Sequence, residues 1–428
     1  MAKHCRGGAA HGADEPDWDA PIIPVPTPTA MRATTGLLVL AFLAMVTLVA
    51  TSPNRLLYDE PFFANYVSLL HQYGFTPRFL NSLNAAPGPL SAVVQIIFEP
   101  LTHLRPVATR FVNVFLLIVL ALILVMCMKR APDNWAFGCS VLVVPMTWVV
   151  AGMALSEMSA MVFVTLSLYL QLRGLDALGA GRGVLGWFLL SGVCLGIAVW
   201  GRQPYLLLAS TPMLAALMER RLRLAAVVFL AAACALALPL FALWGGLVPP
   251  SQQSLQQGFS IVHGLTSLGY VGICFTLLVP RARWLPLRLV LGLVALTVIA
   301  NASLGAFVLY PAAPLADRYL AAPLKPIYGN LCGSLFLGCG VVVLAALLRI
   351  TWNSREDLKH LTLNAGLLCV AVSPVFIPHQ YSSRYAAMSL PYLMLAAHRW
   401  RQWELKVALT AALGCGVGFL SLSGYFSQ

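Results

Sequence analysis

Carboxylates are scarce in this 428-residue chain, fifteen in all, and few of them stand where they could act together. Asp59, Glu60, Glu99, Glu157 and Asp317 lie beside long apolar runs, on what the charge pattern makes one side. Isolated cations share that side, among them Arg55, Arg110, Arg202, Arg318 and Arg384, together with His71, His103, His263 and His379. A carboxylate within hydrogen-bond reach of a hydroxyl can serve as a general base. The planar fork of an arginine matches the oxygens of a phosphate. A face carrying a few acids opposite isolated cations is therefore the place to look for a site. No Walker or dinucleotide fingerprint appears, so no nucleotide is expected.

Each candidate also has an ordinary structural use. Asp59 precedes Glu60-Pro61, a good helix start with Asp as cap and Pro in the first turn. Glu60 is then a favourable acid in that turn, pointing elsewhere than Asp59. Ser156-Glu157-Met158 separates two apolar runs, where a Glu is costly unless paired or functional, a loop or cap position being the ordinary account. Arg202, in Trp200-Gly201-Arg202-Gln203-Pro204, and Arg384, in His379-Gln380-Tyr381-Ser382-Ser383-Arg384-Tyr385, break the basic pattern. Each either snorkels to the membrane surface or grips an anion. Asp317-Arg318 reads as a local ion pair.

Composition dictates the scaffold that holds them. The chain is 59% hydrophobic and 10% charged, with a mean hydropathy of +0.81, whereas soluble domains are about a quarter charged. It is expected to be a polytopic membrane protein, which excludes a cytosolic enzyme, a disordered scaffold and a secreted disulfide domain. The net charge of +12 marks cytoplasmic loops rather than a nucleic-acid partner. The ten cysteines fall mostly inside apolar runs without CxxC pairing, so neither a zinc cluster nor a disulfide framework is expected. Residues 1–32, acidic and then proline-rich, read as a disordered cytoplasmic tail, with Met31 as an alternative start. A transmembrane domain follows over 33–428.

Apolar runs from 37–50 to 405–423 imply about eleven to thirteen spans, each needing about 20 residues. Runs at 135–151, 184–200, 204–218 and 385–398 are among them. Lipid offers the backbone no hydrogen-bond partner, so the fold class is all-α, and long Leu, Ala and Val runs argue against a barrel. With the N-terminus in the cytoplasm, Lys129-Arg130, Arg173 with Arg182, Arg220 to Arg223, Arg281 to Arg288, Arg349 to Lys359 and Arg399 with Arg401 all face inward. The first outer loop, 52–106, is not a polar linker. Phe62, Phe63, Tyr66, Val67, Leu70 and Tyr73 recur at helical spacing before Gly74, and a second helix is expected from about Pro89 to His103. Both suit the membrane interface.

Leu57-Tyr58-Asp59-Glu60-Pro61-Phe62, Ser156-Glu157-Met158, Gly201-Arg202-Gln203-Pro204 and Ser383-Arg384-Tyr385 with Leu390-Pro391-Tyr392 resemble the GT-C glycosyltransferases, polytopic enzymes that use polyprenyl-phosphate sugars. Their order is similar to that in the dolichyl-phosphate-glucose-dependent α-1,2-glucosyltransferases of N-glycan precursor assembly. That family has a His soon after its Asp-Glu pair. Here Pro61-Phe62-Phe63-Ala64 takes its place, and the first His is His71. Abundant Ala and an excess of Arg over Lys fit a GC-rich bacterial genome.

The resemblance implies an inner-membrane enzyme with an extracytoplasmic site (the endoplasmic reticulum membrane if eukaryotic). The donor would be a monosaccharide on polyprenyl phosphate, and the acceptor a lipid-linked or cell-envelope glycan. Asp59, Glu60 and Glu157 become the catalytic candidates. Arg202, Arg384 and His379 become the donor-phosphate ligands, and Tyr58, Gln203 and Tyr385 the substrate contacts. No cofactor is fixed, but a divalent cation, Mg or Mn, at Glu157 is compatible. A lipid-linked saccharide flippase is the alternative, and it calls for charges at midplane depth on broken helices.

Overall fold

The computed structural model describes residues 28–128, 134–256, 258–279, 285–305, 307–309, 320–378, 381–398 and 405–427. Most of the expected tail, the Asp317-Arg318 pair and His379 lie outside the described residues. Among the described residues every regular element is helical. In chain order the α-helices are α1 (Pro28–Ala50), α2 (Glu60–Tyr73), α3 (Pro77–Asn81), α4 (Leu90–Thr102), α5 (Pro106–Cys127) and α6 (Asn134–Cys139). Then come α7 (Pro145–Gly152), α8 (Glu157–Gly179), α9 (Leu185–Gly201), α10 (Ser210–Met218), α11 (Arg223–Trp244) and α12 (Ile261–Leu278). The last are α13 (Leu287–Leu304), α14 (Leu324–Asn353), α15 (Leu358–Val372), α16 (Arg384–Ala387), α17 (Leu390–His398) and α18 (Leu405–Phe426). The protein is an all-α polytopic membrane protein.

Nine of the described helices are long and apolar enough to cross a membrane. The other expected spans are short or broken, and the sequence shows why. The run at 135–151 divides into α6, a 3₁₀ turn at Ser140–Val143 and α7, because Pro145 forces Val144 out of the helical region, to φ −82° and ψ 109°. The run at 204–218 opens with the 3₁₀ segment Gln203–Ala209 before α10. The 385–398 run divides into α16 and α17, and α9 covers only 17 residues. α1 also begins at Pro28, inside the stretch expected to be a tail.

Small residues set the spacing of the bundle, as expected where lipid removes the hydrophobic drive between helices. A Cβ on Gly192 of α9 would stand 2.3 Å from the Phe229 carbonyl of α11. Ser167 of α8 and Ser191 of α9 each donate to the other's carbonyl, at 2.9 and 2.7 Å. Gly192→Val is therefore expected to destabilise the protein by about 1–3 kcal/mol through overpacking, read as a fall in thermal midpoint in detergent. Further out, Asn301 of α13 donates to the Phe307 carbonyl and to Ser334 of α14, both at 2.9 Å, fastening the peripheral helix α13.

The loop at 52–106 folds as its sequence implies. Thr76 caps α3 by accepting from the Phe79 amide. Gly74, at φ +61°, ends α2 where a side chain would be strained. α4 fills the place of the second expected helix. The segment after α3 is held on several sides. Tyr66 both donates to and accepts from the Ala85 backbone, at 2.9 and 2.7 Å. Trp244 donates to the Leu80 carbonyl at 3.0 Å, and Ser251 to the Leu83 carbonyl at 2.8 Å. Burial raises the pKa of the Tyr66 phenol, more than the Ala85 amide lowers it, so the group stays protonated in this dual role. α8 ties this end of the bundle to the other. Glu157 begins it, and Asp176, near its far end, pairs with Lys359, roughly 28 Å away along the axis.

Candidate active site

The structure gathers four of the sequence candidates into one chain of alternating charge. Asp59 stands just before α2 with helical backbone angles, φ −87° and ψ −10°, and its carboxylate makes no capping bond. The capping role suggested by the sequence is thus not the one found. A charged donor is a stronger partner than a backbone amide, and Oδ2 of Asp59 accepts instead from Nη2 of Arg384 at 2.5 Å. The other terminal nitrogen of Arg384 lies 3.9 Å from Oε1 of Glu157. The same Glu157 oxygen accepts from Nη2 of Arg202. Two acids and two arginines, drawn from positions up to 325 residues apart, form the sequence Asp59–Arg384–Glu157–Arg202.

Different local structures place each member. Glu157 is the first residue of α8, where the helix dipole favours a negative charge, and its side chain is 0% exposed. Arg202 leaves the end of α9 in an extended conformation, φ −147° and ψ 103°, before the 3₁₀ segment that starts at Gln203. Gln203 turns the other way and donates to the Ala86 carbonyl at 2.7 Å. Tyr205 donates to the Met388 carbonyl at 2.9 Å, joining the Arg202 segment to the Arg384 segment. Burial disfavours the Arg384 cation, but the Glu157 and Asp59 carboxylates outweigh it and hold its pKa above the ordinary arginine value.

The cluster is not saturated. Oε2 of Glu157 and Nε of Arg202 are buried with no hydrogen-bond partner among the protein atoms, a costly condition that a ligand or water would relieve. Arg202 also lines a cavity of about 480 Å³, together with Gln203, Tyr385, Pro204, Leu207 and Phe376. Asp59 is reached from the open side, with 41% of its side chain exposed.

The remaining candidates fall elsewhere. Glu60, offered as a catalytic acid, has no free oxygen. Oε1 accepts from Arg110 Nε at 2.9 Å and from the Ala154 amide at 2.8 Å. Oε2 accepts from Arg110 Nη2 at 2.7 Å and from the Leu57 amide at 2.8 Å. Glu60 and Arg110 thus form a fully buried ion pair one residue along the chain from Asp59. Tyr58, at φ +52°, sets its ring against Tyr425 at 4.7 Å between centroids. Tyr385 stands at the cavity, its ring 6.0 Å from the Arg202 guanidinium. Glu99 pairs with His71 at 2.9 Å on the flank of the loop. Among the described residues no group of three or more His, Cys, Asp or Glu is arranged to hold a metal.

Arg110, one of the isolated cations, and Asn113, which sequence reasoning missed, complete the framework from α5. All five Arg110 N–H groups are used: beyond the bonds to Glu60, Nη1 donates to Ser52 Oγ at 2.8 Å and to the Pro53 carbonyl at 2.7 Å. Nη2 also reaches the Arg55 carbonyl at 2.7 Å. Asn113 donates to the Met153 and Leu155 carbonyls at 2.6 and 2.9 Å, fixing the turn that delivers Glu157. The one available signal was a basic residue opposing the inside-positive pattern at the start of a span.

The fold and site define a polytopic membrane protein with a buried, charge-alternating centre beside a largely apolar cavity. No protein-family model matches the chain, and no curated protein does. Two solved structures of ArnT from Cupriavidus metallidurans do, each over 92% of this chain and 78% of that protein. The apo form gives a TM-score of 0.42 at 16% identity, and the form bound to undecaprenyl phosphate gives 0.43 at 17%. Likeness at that level identifies neither a family nor an activity for this chain.

Proposed function

We propose that the protein is a GT-C-type membrane glycosyltransferase that moves a monosaccharide from a polyprenyl phosphate to a hydroxyl of a lipid-linked or cell-envelope glycan, on the extracytoplasmic side. The supporting observation is the Asp59–Arg384–Glu157–Arg202 chain, whose Arg202 also lines a largely apolar cavity. Such a cavity suits a prenyl tail, and its Arg202 end suits the phosphate.

The reaction is a single in-line displacement. The acceptor oxygen bonds to the anomeric carbon as that carbon's bond to the phosphate oxygen breaks, inverting the configuration. The acceptor proton passes to Asp59. The phosphate leaves as a monoester with one more negative charge, which Arg202 and Arg384 stabilise; donors aimed at developing charge are commonly the largest catalytic term. Glu157, through its unpaired Oε2, orients a substrate hydroxyl or holds a divalent cation. Gln203 fixes the wall at Ala86, and Tyr385 borders the sugar-phosphate.

Sidedness tests this reading. Oriented vesicles loaded with a radiolabelled polyprenyl-phosphate sugar are expected to glycosylate acceptor only at the periplasmic face. Transfer confined to the cytoplasmic face would overturn the assignment of the site to the outer side.

A further inference from the structure

Both arginines are engaged by carboxylates of the chain itself. Arg384 spans Asp59 and Glu157, at 2.5 and 3.9 Å, and Arg202 is bonded to the same Glu157 oxygen. Two carboxylates and two guanidiniums leave the centre with no net charge. A phosphate arriving at Arg202 stands one carboxylate away from Arg384, so it competes with Asp59 and Glu157 for the same cation. Glu157 is 0% exposed and cannot shed its charge into water. Asp59 is 41% exposed and Arg384 18%, so the Asp59 bond is the one that solvent and a ligand can exchange. The unpartnered Arg202 Nε marks a free donor beside the route.

We propose that Arg384 is a shared cation that holds Asp59 in the empty enzyme and passes to the donor phosphate on binding, so that Asp59 is released as a base only after the donor is seated. This rests on the glycosyltransferase reading and adds an order to it, donor before acceptor. The exchange also matches the chemistry. While the proton neutralises Asp59, the leaving phosphate gains the charge that Arg384 then faces. A base tied to a cation is a weaker base, so the pairing also guards against activating water before the sugar is present.

The test is a double-mutant cycle read by binding rather than turnover, using undecaprenyl phosphate and the full chain in nanodiscs, with undecaprenol as the control lacking the charge. Wild type is expected to bind the phosphate more tightly than the alcohol. Asp59→Asn removes the competing carboxylate and is expected to tighten phosphate binding about tenfold, the scale of one charged hydrogen bond. In the Arg384→Gln background the same change is expected to have no effect, because the cation it frees is gone. Equal tightening in both backgrounds would mean simple relief of repulsion, and no tightening in either would mean that Arg384, once freed from Asp59, does not reach the phosphate; both overturn the exchange while leaving the phosphate site intact. Equal binding of phosphate and alcohol by wild type would overturn the glycosyltransferase reading itself. Asp59→Ser and Arg384→Met repeat the cycle should either first-choice variant fail to fold.

Discussion

Asp59→Asn is expected to lower sugar transfer about 10²–10⁴-fold, the usual cost of removing a general base. The substitution keeps the shape of the side chain and leaves the buried framework untouched, because Asp59 makes no helix cap and its described bond is to Arg384. The loss is expected in kcat, with donor binding preserved or tightened. Initial rates at matched protein concentration, with the thermal midpoint as a control for folding, check it. A parallel Glu157→Gln variant is expected to behave differently. It leaves the buried Arg202 cation without its charged partner, so stability falls together with activity.

The second large effect is structural. Arg110→Met is expected to destabilise the protein by about 3–5 kcal/mol, because removing one partner strands the other charge in the interior. Glu60 would keep only its two backbone amides, and Ser52, Pro53 and Arg55 would lose their donor. Arg110→Lys is expected to recover little, since a single ammonium cannot reproduce a planar fork serving five acceptors. Thermal unfolding in detergent measures both. Residual folded protein is expected to show reduced transfer, because Asp59 hangs from the same loop.

Much of this site was legible because membranes make charges conspicuous. Asp59, Glu157, Arg202 and Arg384 stood out as costly residues at the ends of apolar runs, and all four meet. Which of the neighbours Asp59 and Glu60 joins the Arg384 chain was not legible. Adjacent helical residues point about 100° apart, and the phase depends on what the bundle offers. It offers Arg110, 50 residues away in the chain, and no local pattern announces that pairing. The broken spans are different. Pro145 and Pro204 stand in the sequence as breakers, but composition alone reads such runs as continuous because the apolar content is unbroken. Tyr58 repeats the limit met at Glu60. Its backbone, left-handed at φ +52°, sets the ring against Tyr425, a contact that no local pattern announces.

The central claim is that sugar leaves a polyprenyl phosphate at this charge chain. The most direct measurement presents purified wild-type protein in proteoliposomes with a panel of radiolabelled polyprenyl-phosphate monosaccharides and an extract of envelope glycolipids as acceptors. The account predicts labelled acceptor and released polyprenyl phosphate in equal amounts from at least one donor, with Asp59→Asn reducing both. No labelled product from any donor, with lipid-linked saccharide crossing the bilayer in a flipping assay on the same proteoliposomes, would contradict it and establish a transporter instead.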